Sequence, residues 1–82
     1  IQITRNLKKD KTEYIENVLI EKKLSAREIE IALKFSDFKL SKEISENLNI
    51  SVRTVEKHIE NIYKKLSINS KEELAYFLNS LK

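Results

Sequence analysis

The fold is decided by residues 41–66, which read SKEISENLNI followed by SVRTVEKHIENIYKKL. The second half predicts one long helix over 52–66, because its apolar residues recur at helical spacing. The residues expected to form this single buried stripe are Val52, Val55, Ile59, Ile62 and Leu66.

Serines and asparagines mark the ends of two helices in this stretch. Ser51 can cap the long helix, and Ser41 can cap a shorter helix over 42–48. The helices are joined by residues 49–51, where Asn49 is the expected left-handed residue because Asn tolerates a positive φ angle. The segment therefore predicts a short helix, a tight turn and a longer helix.

Three pairs of residues have the spacing of a capping box and indicate further helix starts. They are Asp10 with Glu13 before a helix over 11–23, Ser25 with Glu28 before a helix over 26–36, and Ser70 with Glu73 before a last helix through Leu81. Glycine and proline are absent, so the turns must rely on Asn, Asp and Ser. The sequence predicts an all-α fold.

Composition narrows the possible function. A chain of 82 residues makes one small domain, and zero cysteines exclude disulfides and Cys-based metal sites. The single His58 offers no convergent catalytic set, so neither an enzyme nor a cofactor is expected. No apolar run is long enough to span a membrane, and a cytoplasmic location is expected. The start at Ile1 suggests a piece of a longer protein.

The face of the 52–66 helix opposite its apolar stripe is polar and rich in cations. Its members are Arg53, Glu56, Lys57, Glu60 and Lys64, with a second row of Thr54, His58, Asn61 and Lys65 beside it. A short helix, a tight turn and a polar longer helix are typical of a unit that places its second helix in the major groove of DNA.

Each polar residue type suits a particular contact with double-stranded DNA. Arg53 and Lys57 can donate to guanine, and Glu56 can accept from the cytosine amino group. The residues better placed for phosphates are Thr54, His58, Asn61, Lys64 and Lys65. Lys39 and Lys42 can hold the phosphates of the neighbouring DNA strand.

Three segments together resemble a known family. Residues 24–31 (LSAREIEI), 41–45 (SKEIS) and 51–66 are similar to the LuxR-type (NarL/FixJ) DNA-binding domain of bacterial transcription regulators, without a gap from 24 to about 78. The resemblance implies a four-helix helix-turn-helix domain over 24–82, preceded by a linker plus one extra N-terminal helix over 1–23. It also implies that 52–66 is the recognition helix.

Family membership would imply further partners. Members act as C-terminal effector domains, usually behind a receiver or ligand-binding domain, and bind DNA as dimers. By resemblance the dimer surface would lie on the last helix, with Leu74, Tyr76, Phe77 and Leu81. The chain has Phe38 and Ser67 where the family has glycine, and Glu56 and Glu60 are acids in the groove-facing face.

Other interpretations stay open on sequence alone. The polar face could be a solvated surface with ion pairs such as Glu60 with Lys64. The chain could be a protein–protein module that has lost DNA binding, or a promoter-recognition domain like that of a sigma factor. His58 could be structural or contact phosphate, and the 11–23 helix could cover the core or dimerise.

Overall fold

A computed structural model describes residues 13–37 and 39–81. Within these ranges the chain is helical over 13–21 (α1), and the other helices are Ala26–Ser36 (α2), Ser41–Leu48 (α3), Val52–Leu66 (α4) and Lys71–Ser80 (α5). The described residues contain no strand, and the predicted all-α fold is confirmed. Asp10 and Phe38 lie outside the described residues.

Serine side chains cap three of the helices, as their sequence positions predict. The backbone N–H of Glu28 donates to Ser25 Oγ at 3.1 Å, and the Ser25 N–H donates to Glu28 Oε1 at 2.9 Å, which completes the predicted capping box. Ser51 Oγ likewise accepts from the N–H of Thr54 at 3.0 Å. These bonds satisfy backbone donors that the first helical turn leaves without partners.

The start of α5 differs in detail from a reciprocal capping box. Ser70 Oγ accepts from the Glu73 N–H at 3.1 Å. The Glu73 carboxylate accepts from the N–H of Asn69, one residue before the expected donor. The capping serine of α5 is therefore confirmed, with the glutamate reaching one residue further back.

The predicted cap of α3 is wrong by one residue. Ser41 is the first helical residue, and Leu40 occupies the capping position. Because leucine has no side-chain acceptor, Glu43 contributes to the cap instead, and its Oε1 accepts from the Leu40 N–H at 3.0 Å. The N-terminus of α3 thus has a carboxylate, and no serine hydroxyl, at its cap.

Left-handed residues end three helices. Lys23, Asn49 and Ser67 have φ angles of 75°, 58° and 58°. Each is followed by an N–H that returns to a carbonyl five residues earlier: Leu24 to Leu19, Ile50 to Ser45 and Ile68 to Tyr63, at 3.0 to 3.1 Å. This is the Schellman arrangement, usually built with glycine. The prediction for Asn49 is confirmed, whereas Lys23 was not anticipated.

The core lies where α2, α3, α4 and α5 meet. Helix α4 packs against α2 and α3, and α2 also packs against α5. The largest fully buried side chains are Leu19, Ile31, Ile44, Val55, Ile62 and Leu74. Burial of this apolar surface is the main term that holds such a small domain together.

Four of the five residues predicted for the α4 stripe are buried. They are Val55, Ile59, Ile62 and Leu66. Val52 was predicted to join them and is 39% exposed. It occupies the first residue of α4, at the edge of the stripe, where the helix leaves the core.

Helix α1 shares the core of the other helices. Ile15 and Leu19 are buried among the core residues, which agrees with the interpretation of α1 as core cover. Tyr14 and Ile20 on the same helix are more than half exposed. No described helix combines the length and apolar character that crossing a bilayer requires.

Candidate nucleic-acid interface

Helix α4 presents a continuous polar ridge on the side away from the core. With 3.6 residues per turn, burial of one stripe forces the residues between its members outward. The exposed residues opposite the stripe, here called the α4 ridge, are Arg53, Glu56, Lys57, Glu60 and Lys64. The structure thus brings together the predicted base-reading residues Arg53, Glu56 and Lys57.

Four of the five ridge residues and part of the second row line one open depression along α4. Its lining residues are Arg53, Thr54, Glu56, Lys57, His58, Glu60 and Asn61. All of them belong to one helix, so their spacing is fixed by helix geometry. An α-helix has the diameter that the DNA major groove admits.

Ridge charges form no ion pair with one another. The ion pairs between described residues are Arg27 with Glu30 and Lys65 with Glu28. The Glu60 to Lys64 pair that a solvated helix face would favour is not formed. No described residue therefore neutralises Arg53, Lys57 or Lys64 by direct pairing.

Lys65, from the second row, contacts a carboxylate on α2. Its Nζ donates to Glu28 Oε1 at 2.7 Å, and the two side chains are 35% and 5% exposed. That Lys65 contacts DNA stays a prediction, and its ammonium group already serves as the partner of a buried carboxylate. A short, charge-assisted bond of this kind is among the stronger hydrogen bonds.

Several effects act on the pKa of Glu28. Burial raises the pKa of this carboxyl, but the Lys65 hydrogen bond, the Ser25 N–H and the charges of Lys65 and His58 together lower the pKa below its ordinary value of 4.5. Glu28 is therefore ionised at neutral pH despite its burial.

The rest of the second row is partly engaged with the protein. His58 is half-buried, and its Nδ1 atom is buried with no hydrogen-bond partner among the described residues. The Thr54 hydroxyl lies 2.9 Å from Ser51 Oγ, and Asn61 is half-buried. Within this row His58 and Asn61 are thus half-buried, whereas Thr54 is exposed.

Lys39 and Lys42 flank the N-terminus of α3. Both are exposed, Lys42 in the first turn and Lys39 just before the helix. Leu40 between them is 62% exposed. The two lysines were predicted to hold a DNA strand, and their exposure leaves their ammonium groups accessible to such a ligand.

The predicted dimer residues on the last helix separate into different environments. Leu74 is fully buried and cannot belong to a surface, so that part of the prediction is corrected. Phe77 and Leu81 are partly buried and pack against the core, whereas Tyr76 is 78% exposed. Tyr76 and Phe77 border a shallow apolar depression with Ile68.

The structural role of Glu28 was not predicted from the sequence. It was recognised as half of a capping box, and its interaction with α4 was not expected. A signal was present, because Glu28 precedes Ile31, Ala32 and Phe35 at helical spacing and so falls on the core-facing side of α2.

The described residues contain no group of three or more His, Asp or Glu placed to hold a metal ion.

Comparison with known proteins identifies the arrangement. Residues 22–78 match the family described as bacterial regulatory proteins, luxR family. The chain is 39% identical over 62 residues to the transcriptional regulatory protein LiaR of Bacillus subtilis, a match that covers 76% of this chain and 29% of LiaR.

A second relative is an HTH-type transcriptional regulator of Escherichia coli, YhjB. The identity is 40% over 58 residues, which is 71% of this chain and 29% of YhjB. The matched region thus spans less than a third of the length of either relative. The family match and the α3–turn–α4 geometry agree: the chain belongs to the LuxR family of bacterial regulatory proteins, and its matched residues are a helix-turn-helix DNA-binding domain.

Proposed function

We propose that this domain binds double-stranded DNA sequence-specifically, with the N-terminal part of α4 in the major groove. The observation that carries the proposal is the α4 ridge. It exposes Arg53, Lys57 and Lys64 without ion pairing to described residues, on a helix whose opposite side is buried against α2 and α3. A ridge held on a packed helix is pre-organised for entry into a groove.

The roles of the residues follow from their chemistry. The Arg53 guanidinium can donate two parallel bonds to guanine, Lys57 can donate to guanine acceptors, and Glu56 can accept from cytosine. We assign phosphate contacts to Lys39, Lys42, Thr54, Asn61 and Lys64. Cationic and short polar donors of this kind position a protein on the duplex without reading its sequence.

The proposal extends to the longer protein in which the domain acts. We infer a non-enzymatic, cytoplasmic transcription regulator in which residues 24–82 are the effector domain and 1–23 supply a linker and an additional helix. A receiver or sensor domain, as in a response regulator, would control it. Two copies would bind two half-sites as a homodimer, because one small domain makes few base contacts.

The test begins with selection of preferred sites from a random duplex library by the unchanged chain. Fluorescence anisotropy then compares the selected duplex with a scrambled one for the double variant Arg53→Ala with Lys57→Ala. We expect the variant to lose about tenfold or more of its preference, since a good bidentate base contact contributes about 1–3 kcal/mol of discrimination. Circular dichroism checks that helicity is retained.

A matched control has the same change of net charge away from the ridge. Lys22→Ala with Arg27→Ala removes two exposed cations near the start of α2. We expect it to keep the sequence preference. Retention of full preference by the ridge variant would contradict the assigned face.

A protein–protein module is the second candidate, and two observations favour it. Glu56 and Glu60 place two carboxylates on the ridge, and Tyr76 exposes an aromatic ring beside an apolar depression on α5. Gel shifts with genomic fragments at low and moderate salt separate the candidates. Salt-sensitive retention supports DNA binding, and no retention at either salt concentration supports the module.

A further inference from the structure

The contact between Lys65 and Glu28 joins α4 to α2 through charge. Lys65 lies in the last turn of α4, and Glu28 lies in the first turn of α2. A single oxygen, Glu28 Oε1, accepts both from Lys65 Nζ at 2.7 Å and from the Ser25 N–H at 2.9 Å. The oxygen that caps α2 therefore also holds α4.

This contact leaves Lys65 poorly suited to a phosphate. A phosphate could recruit the ammonium only by weakening its bond to Glu28, and a buried carboxylate deprived of its cation is strongly unfavourable. Lys64, the preceding residue, is exposed and has no such partner among the described residues. The two adjacent lysines thus have different environments, although their sequence positions look equivalent.

The Lys65–Glu28 ion pair also supplies a preferred direction of contact, which apolar packing lacks. Ile62 and Leu66 are buried at the same end of α4. Their apolar contacts are non-directional and tolerate small shifts of one helix along another. A charged hydrogen bond to a fixed, capping carboxylate has a preferred distance and angle. His58 lies two helical turns before Lys65 on the same row, and its charge helps to lower the pKa of the Glu28 carboxyl.

We propose that Lys65 and Glu28 are positioning residues: their ion pair sets how α4 lies on α2, and so how the ridge meets DNA, while Lys65 makes no phosphate contact. The proposal rests on the DNA-binding function proposed above. It reassigns Lys65 from the DNA surface to the support of that surface.

The test uses variants that remove charge and retain shape. Glu28→Gln keeps an amide oxygen that can still accept from the Ser25 N–H, and Lys65→Met keeps an unbranched apolar stem. The double variant removes both charges. Lys64→Gln is the matched control, since it removes a neighbouring cation that belongs to the ridge.

Specific binding is measured on the selected duplex and non-specific binding on a scrambled one, each over a range of salt. We expect Glu28→Gln to weaken specific binding about threefold to tenfold and to leave non-specific binding nearly unchanged. If charge alone mattered, removal of an anion would strengthen both. The slope of the logarithm of the binding constant against the logarithm of the salt concentration counts phosphate contacts. For Lys65→Met we expect the slope of the unchanged chain, whereas Lys64→Gln should reduce the magnitude of the slope by about 0.9.

Chemical unfolding of the same variants provides an independent readout. Lys65→Met leaves Glu28 unpaired, so we expect the double variant to be more stable than the sum of the single changes requires. Should Lys65→Met fail to fold, the double variant and Glu28→Gln still report on DNA binding. A loss of salt slope of about 0.9 in Lys65→Met, or tighter binding by Glu28→Gln, would overturn the proposal.

Failure of the underlying function gives a different result. If the unchanged chain shows no preference for any duplex, the DNA-binding proposal and the role assigned here both fall. If the unchanged chain is selective and the two charge variants match it in preference, only the positioning role is overturned.

Discussion

Asn49 and Ser67 end consecutive helices in almost the same left-handed conformation, with φ and ψ of 58° and 43° for Asn49 and 58° and 46° for Ser67. Asparagine is one of the few non-glycine residues that adopt this conformation readily, whereas serine has no such preference. Helix α3 therefore ends at a favourable left-handed residue, and α4 ends at an unfavourable one.

Replacement of Ser67 by glycine should stabilise the domain. Glycine removes the Cβ clash at positive φ, and part of the gain is offset by its greater freedom in the unfolded chain, so we expect an increase of about 0.5–1 kcal/mol in the free energy of unfolding. Urea unfolding measures the change. Asn49→Gly is the control and should change stability less, and an equal gain at both positions would contradict the argument.

Leu74 and Tyr76 lie on the same helix and should respond differently to truncation. Because Leu74 is fully buried, Leu74→Ala should cost about 2–4 kcal/mol of folding stability through loss of apolar burial and the cavity left behind. Tyr76→Ala should change stability by less than about 0.5 kcal/mol. Thermal unfolding tests both changes.

One of these variants, Tyr76→Ala, also tests the proposed dimer surface. Tyr76→Ala should weaken self-association, as measured by analytical ultracentrifugation at several concentrations. An unchanged association constant would remove Tyr76 from the dimer surface.

The Glu28 ion pair should make stability depend on pH in the acid range. The pKa of Glu28 is lowered in the folded protein, so the stability it contributes is fully present above about pH 4.5, its ordinary value, and is lost as pH falls through the lower pKa of the folded state. Unfolding by urea at a series of acid pH values measures this loss. Glu28→Gln should flatten the dependence in that window, and an unchanged profile would count against the pairing.

The phenol of Tyr63 should titrate at a higher pH than an ordinary tyrosine. Burial raises the pKa of its phenol above 10.0, and the nearby charge of Glu72 raises it further. Ultraviolet titration of the phenolate should show a component that ionises above pH 10.0. Tyr63→Phe should remove this component, and its persistence in that variant would show the assignment to be wrong.

The sequence was sufficient for most of the fold because its signals are local. Ser25, Ser51 and Ser70 are capping residues, and Asn49 ends a helix as predicted, since each bond joins residues close in the chain. Lys23 escaped notice because lysine has no preference for positive φ, and tertiary packing of Leu19 and Leu24 places it there.

The candidate site was predictable only on one side of α4. Periodicity identifies the ridge, because residues between core positions must face outward. Periodicity cannot distinguish Lys64 from Lys65, since the difference arises from a carboxylate that lies 37 positions away in sequence. The burial of Leu74 and the exposure of Val52 likewise depend on which helices meet, and the helical repeat alone does not supply that information.

The shared oxygen of Glu28 couples fraying at the start of α2 to loss of the Lys65 contact at the end of α4, two events that are usually independent in separate helices. Fraying of the first turn of α2 breaks the bond to the Ser25 N–H and also disturbs the acceptor on which Lys65 depends. Backbone amides at the start of α2 and at the end of α4 should therefore exchange with solvent deuterium as one cooperative unit, although separate helices supply them.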